Sequence, residues 1–224
     1  MKESLDDLMN EIKERLRVFE RDLPRQIDPL ALSRSKLPFK ALLYREALIW
    51  RVTELAMAAF ENFEANGLAA AILLTRAAVE TTAALWYLCN KITSALKAGS
   101  LGDIDDYLMR LSLGSRVWEE SPDPINVLTF VDCVNKTVEG FRQQYDSLSE
   151  YSHPNYSGTT GLYSKNDTEN ILTDFGSNVR NTDGPKHIGV INLSVALMMF
   201  HHTYNKLADV MSNFVALSEK NLPS

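Results

Sequence analysis

The stretch Tyr145-Asp-Ser-Leu-Ser-Glu-Tyr-Ser-His-Pro-Asn155 carries an unusual row of polar side chains. Tyr145, Ser149 and His153 recur at i, i+4 and i+8, the spacing that lines side chains along one face of a helix. Pro154 has no amide proton and restricts the residue before it, so the pattern predicts a helix ending at His153. Arg76 and Glu80 form a second polar pair, four residues apart in an otherwise apolar segment. An arginine fork suits phosphate or carboxylate. Histidine can move protons or contact phosphate near neutral pH. The hydroxyls of Tyr145 and Ser149 and the amide of Asn155 add neutral hydrogen bonds. Arg76, Glu80, Tyr145, Ser149, His153 and Asn155 are therefore the candidate ligand-binding residues.

Each has a structural alternative. Arg76 and Glu80 at i, i+4 make an intrahelical ion pair. Two charges kept in a central helix cost several kcal/mol unless their geometry is good (roughly, per ion), so the pair serves either to hold the fold or to hold a ligand. His153 caps a helix end as readily as it acts as an acid or base. Ser149 and Tyr145 can bond to backbone or water.

Helix signals dominate the elements around these residues. Ser4 is placed to cap an amphipathic helix over residues 1–22, with Leu5, Leu8, Ile12, Leu16 and Phe19 on one face. Pro24 and Pro29 end it, and Pro38 fits a first helical turn. A helix from Phe39 to Ala65 stops at Asn66-Gly67. The next, Leu68 to about Lys97, is apolar on nearly all sides, as a central helix must be. Short and long helices follow, Ile104 to Leu113 and Ile125 to Ser152. The Gly-, Ser-, Thr- and Asn-rich residues 158–178 predict a β-hairpin-like insertion with strands at Thr160–Ser164 and Asn170–Phe175. A last helix spans residues 187–220. The expectation is an all-α, up-and-down helical bundle, a single domain over residues 1–224 with its core helices within 39–152.

Composition narrows the function. The chain has 224 residues, 45% hydrophobic and 23% charged, which suits one soluble domain. A net charge of −6 gives no DNA-binding signature. Residues 13–51 are basic, with ten Lys/Arg against five Asp/Glu, whereas residues 101–183 are acidic, with six against fourteen. Cys89 and Cys133 have no zinc spacing, and no secretory signal pattern is present, so a reducing cytoplasm is expected, with no metal and no cofactor. The longest apolar run, Val190 to Phe200, is too short for a membrane span.

Arg76-Ala-Ala-Val-Glu80, with the later Tyr-x-x-Leu-Ser-x-x-x-His-Pro segment at 145–154, resembles a broad group of bacterial helical proteins loosely related to the HEPN-like superfamily. The resemblance covers roughly residues 40–215 and implies a helical bundle, frequent dimerisation and, for some members, RNA cleavage in defence or toxin–antitoxin systems. Catalytic HEPN domains place an Arg and a His on one helix with four to six residues between them. Residues 146–148 lack that Arg, and Arg180 to His187 has the spacing but is interrupted by Gly184 and Pro185. A nuclease would need Arg76 to stabilise phosphate charge and His153 to move the proton, joined from separate helices.

Three functions compete on this reading. The favoured one is a helical binding or regulatory protein with a polar pocket for a small anionic ligand or a nucleotide or RNA phosphate. The others are a metal-independent HEPN-like ribonuclease and a structural interaction subunit. A homodimer is expected, with no membrane partner.

Overall fold

The computed structural model describes residues 4–222; residues 1–3 and 223–224 of the expected domain lie outside the described residues. The first helix, α1 (Leu5–Arg21), begins with a capping box: the Ser4 hydroxyl accepts from the Asp7 amide while the Asp7 carboxylate accepts from the Ser4 amide. Its buried face is Leu8, Ile12, Leu16 and Phe19. After the single turn α2 (Pro29–Leu32), Ser35 caps α3 (Lys36–Glu64), which holds Pro38 in its first turn where a missing amide proton costs nothing. Asn66, at φ +59°, ends that segment, and α4 (Leu68–Ala98) turns back against it.

Helix α4 is the centre of the molecule. It packs on α3, on α9 (Asp183–Lys220), on α6 (Val127–Asn135), on α7 (Phe141–Ser152) and on α5 (Ile104–Leu113). Ile72, Leu85, Leu88 and Ile92 are fully buried along it. Thr81, Thr82 and Thr93 are accommodated by bonding back to the helix: the Thr82 hydroxyl donates to Ala78 O at 3.0 Å and approaches Ala196 O on α9 at 3.2 Å. By length and composition α4, rather than the Val190–Phe200 run, is apolar enough to cross a membrane; 61% of its most apolar window is buried in the bundle, as in a core helix.

The contacts along the helices give their directions. Asn66 meets Lys186 at one end of α3, and Ser33 and Arg34 just before α3 meet Glu219 at the other, so α3 and α9 run oppositely. Cys133 lies beside Asn90, and Tyr145 beside Arg76 and Glu80, so α6 and α7 together descend along α4. The chain is an all-α bundle of alternating direction: α1, α3, α4, α6 with α7, then α9.

Three elements differ from the sequence expectation. The helix expected from Ile125 to Ser152 is two, α6 and α7, because Gly140 adopts φ +82°, a left-handed backbone open to glycine. Asn135 bridges the break by accepting from the Arg142 amide at 3.1 Å. The Arg142 guanidinium then grips Asp132 on α6 at 2.8 Å and Asp146 on α7 at 3.0 Å. In the insertion, Thr160–Tyr163 is a helical turn, α8, and the antiparallel strands are β1 (Ser164–Asp167) and β2 (Leu172–Phe175). The Asp167 carboxylate accepts from the Glu169 and Asn170 amides and sets that turn, and these bonds lower its pKa, with the Asn170 side chain contributing most. Finally, α9 begins at Asp183, with Gly184 and Pro185 inside its first turn rather than breaking it. Arg180 stands before the helix and donates to Ser164 O, so Arg180 and His187 do not share a helix.

Gly189 lets α9 pack closely on Phe63 of α3 and Ile72 of α4. A Cβ there would lie 2.5 Å from Phe63 Cζ, on a ring that is fully buried and has nowhere to go. Gly189→Ala is expected to lower unfolding free energy by about 1–3 kcal/mol through overpacking. Adding Phe63→Leu should recover part of that loss, as read by the urea midpoint.

Candidate functional site

The face of α4 turned toward α7 carries Arg76 and Glu80, and α7 presents Tyr145 to both. Arg76 Nη2 donates to the Tyr145 hydroxyl at 2.7 Å, and that hydroxyl donates to Glu80 Oε1 at 2.8 Å. Arg76 Nε lies 3.5 Å from the same carboxylate oxygen, an ion pair without a hydrogen bond, so this buried N–H is left unpartnered. The guanidinium carbon is 5.1 Å from the centroid of the Tyr145 ring. With Arg76 preceding Glu80, the intrahelical pair has the less favourable order along the helix dipole. The phenol from α7 completes it and closes an Arg–Tyr–Glu chain across two helices.

Tyr145 is buried and the two charged side chains are each 27% exposed. Burial raises the Tyr145 pKa above its ordinary value; donation to Glu80 adds to that, while Arg76 opposes it. The phenol therefore keeps its proton and remains the donor to Glu80. The positive and negative charges cancel within the triad.

The other three expected residues do not join it. The Ser149 hydroxyl donates to Tyr145 O at 3.0 Å, back into its own helix. His153 caps α7 with extended backbone, its amide bonding Ser149 O at 3.2 Å, and its side chain is exposed. Eight residues of helix separate it from Tyr145, a rise of roughly 12 Å. Among the described residues no hydrogen bond, ion pair or ring contact links the His153 side chain to Arg76. Asn155 organises the following turn: its amide nitrogen donates to Glu150 at 2.9 Å and its amide oxygen accepts from the Gly158 amide at 3.1 Å.

A second Arg–Glu–Tyr set went unnoticed in the sequence. Arg45 on α3 donates through Nε and Nη2 to Tyr204 O on α9, at 3.3 and 3.1 Å, and through Nη1 to Glu46. The Tyr204 hydroxyl donates to Glu46, and the Arg45 guanidinium lies 3.5 Å from the Tyr204 ring centroid. Its charged side chains are more buried than those of the first triad, 10% exposed for Arg45 and 12% for Glu46. Burial, then the bond to Glu46, pushes the Tyr204 phenol far up. The available signal was Arg45-Glu46 inside an apolar run, but the tyrosine that completes it lies on the last helix. The recurrence matters for interpretation: this residue set is how the chain cross-links helices, α4 to α7 and α3 to α9.

A different set of residues lines a cleft of about 430 Å3 between α4 and α6. Tyr87, Asn90, Lys91 and Ser94 face it from α4, and Thr129, Cys133 and Lys136 from α6 and its cap. No carboxylate lines it. Lys91 Nζ sits 3.5 Å from the Tyr107 ring centroid and 5.1 Å from that of Tyr87. Partial burial pulls the ammonium pKa down, but Tyr107 and Tyr87 more than offset this and leave it raised, so Lys91 is a positioned cation. Asn90 Nδ2 approaches Cys133 Sγ at 3.4 Å. Lys91 beside Asn90 in an apolar helix was the signal for this cleft. Among the described residues no group of three or more His, Cys, Asp or Glu side chains gathers as a metal site.

Removing the bridging hydroxyl with Tyr145→Phe is expected to cost about 1 kcal/mol, since water reaches the half-exposed charges. His153→Ala should change stability by less than about 0.5 kcal/mol. Urea unfolding of both variants checks this, and a large effect at His153 would mean that the imidazole has contacts beyond its exposed position. The raised phenols predict an alkaline limit. Burial pushes Tyr44 up to about 12 against the opposing charge of Arg51, and Tyr145 and Tyr204 are raised too. Unfolded phenols lose their protons near pH 10 (about) while folded ones keep theirs. Stability is thus full below that pH and falls above it, across the interval to about pH 12 for Tyr44. Urea midpoints from pH 8 upward should show the fall, and Tyr204→Phe should make it shallower.

Compared with known proteins, the chain matches no family model, no curated protein and no solved structure.

Proposed function

We propose that this chain is a helical binding protein for a small anionic ligand, and that the ligand is held in the α4–α6 cleft rather than at the Arg76–Glu80–Tyr145 triad. The observation that carries this reading is the convergence of Lys91 and Lys136 with Asn90, Ser94 and Thr129 around a cleft that no carboxylate lines. In a chain of net charge −6, two cations facing one space without a lining acid are placed for an external anion. The hydroxyls and amide supply the neutral donors that orient a phosphate or carboxylate.

The triad has the right residue types for the same task, but Arg76, Tyr145 and Glu80 are already bonded to one another. A ligand there would have to break the staple between α4 and α7. The nuclease alternative needs Arg76 and His153 on one phosphate, and the exposed His153 at the cap of α7 does not favour it.

Isothermal titration calorimetry with pyrophosphate, AMP and citrate tests the reading. At least one is expected to bind, more weakly as salt rises. Replacing Lys91 or Lys136 by Gln should weaken binding roughly tenfold to a hundredfold, the value of one charge-assisted hydrogen bond. Arg76→Gln should leave affinity unchanged. Loss of binding in Arg76→Gln alone would move the ligand to the triad. RNA incubated with the chain in chelator is expected to stay intact, and cleavage abolished by His153→Ala would support the ribonuclease instead.

A further inference from the structure

The β1–β2 hairpin leaves the bundle with its apolar residues bare. Ile171 is 91% exposed and Leu172 63% exposed, at and beside the tip, and Phe175 is 76% exposed at the base. Ile171 also holds φ +56°, where a β-branched side chain is strained and Asn or Gly would sit at ease. A residue that is strained, exposed and apolar at once contributes nothing to its own fold. The arm around it is acidic, with Asp167, Glu169 and Asp174 against Lys165.

At the other end of the bundle, α3 and α5 enclose an apolar cleft of about 520 Å3, floored by Phe39, Leu43, Met109 and Leu113. Leu43 and Leu113 are 43% and 51% exposed. The loop that continues from Leu113 carries Val117 and Trp118, 85% and 73% exposed, so the apolar surface extends past the cleft. Its rim is basic: Arg34, Lys36 and Lys40. Lys40 is paired with Asp105, and the Arg34 charge stands against Glu219, whose carboxylate also accepts from the Arg34 backbone amide; Lys36 has no acidic partner among the described residues. The first turn of α3 adds its own partial positive charge there.

The arm and the cleft complement each other in charge and polarity, but one chain cannot join them. The arm springs from the end where Asn66 meets Lys186, and the cleft lies where Ser33 and Arg34 meet Glu219. Between these ends runs α3, 29 residues long, a rise of about 43 Å. The geometry points to a second copy of this chain as the occupant: in a two-fold, antiparallel dimer each hairpin arm inserts Ile171 and Leu172 into the basic-rimmed α3–α5 cleft of the other copy. A two-fold axis across the bundle makes both contacts at once and closes the assembly.

Sedimentation velocity on the full chain over a range of concentrations tests this with two variants that leave the fold alone. Ile171→Asn relieves the left-handed strain while removing the inserting side chain. Leu43→Asp places a charge in the mouth of the cleft on an exposed position. Wild type is expected to dimerise, and each variant to weaken the dimer at least about tenfold, with thermal unfolding of Ile171→Asn undiminished at a concentration where it is monomeric. The distinguishing result comes from mixing the variants: one intact arm then meets one intact cleft, and a heterodimer should form more tightly than either variant pairs with itself. A wild type that stays monomeric, a dimer indifferent to both variants, or a mixture that behaves as the sum of its parts would overturn the proposal.

Discussion

The structure is organised by one constraint: α4 is apolar on nearly all sides, and a helix of that kind must be covered on most of them. Four other segments do the covering. Helix α3 turns back on it through Asn66, α9 lies along it with Gly189 allowing close approach, and the α6–α7 pair closes the remaining side. The short α5 shields its far end. The break at Gly140 lets two short helices do the work of one long one, with Arg142 clasping both halves through Asp132 and Asp146.

Apolar packing alone does not choose the register in which helices meet. Two Arg–Glu–Tyr cross-links add directional constraints at separate places, α4 to α7 and α3 to α9. In each, a tyrosine from a distant helix donates a hydrogen bond to the carboxylate and contacts the guanidinium, so that charges inside a largely apolar interface meet defined acceptors and donors. The fact that the same set occurs twice changes the meaning of the Arg76 motif. Residue types suited to an anion are here occupied with one another, while Lys91 and Lys136 face a neighbouring cleft that no carboxylate lines.

The two ends of the bundle have different characters. One carries a hairpin arm with exposed apolar side chains and acidic residues; the other carries an apolar cleft with basic residues at its edge. That separation only partly follows the polarity of the linear chain, basic within residues 13–51 and acidic within 101–183. The split is one of place rather than of linear segments: α5 belongs to the acidic stretch yet packs at the cleft end, where its Asp105 pairs with Lys40 of α3.

Most of the architecture was legible locally. Capping at Ser4, the stop at Asn66-Gly67, the largely apolar circumference of α4 and the span of α5 depend on side chains within a few residues of one another, and sequence carries such information directly. The break at Gly140 and the start of α9 at Asp183 were misread because a glycine or proline can continue, start or end a helix, and the choice depends on what packs nearby. The candidate site was legible only in part. Helical spacing grouped Tyr145, Ser149 and His153, but spacing does not say which hydroxyl reaches another helix, which turns back on its own carbonyl, or which imidazole is left in solvent. That Arg76 and Glu80 meet Tyr145, that Arg45 and Glu46 meet Tyr204, and that Lys91 and Lys136 face one cleft are outcomes of contacts between residues tens of positions or more apart. The sequence by itself determined the helices and their apolar faces, because these are set by short-range periodicity. Tertiary structure alone decided which polar groups neutralise each other and which remain available, because that depends on how the helices are laid together.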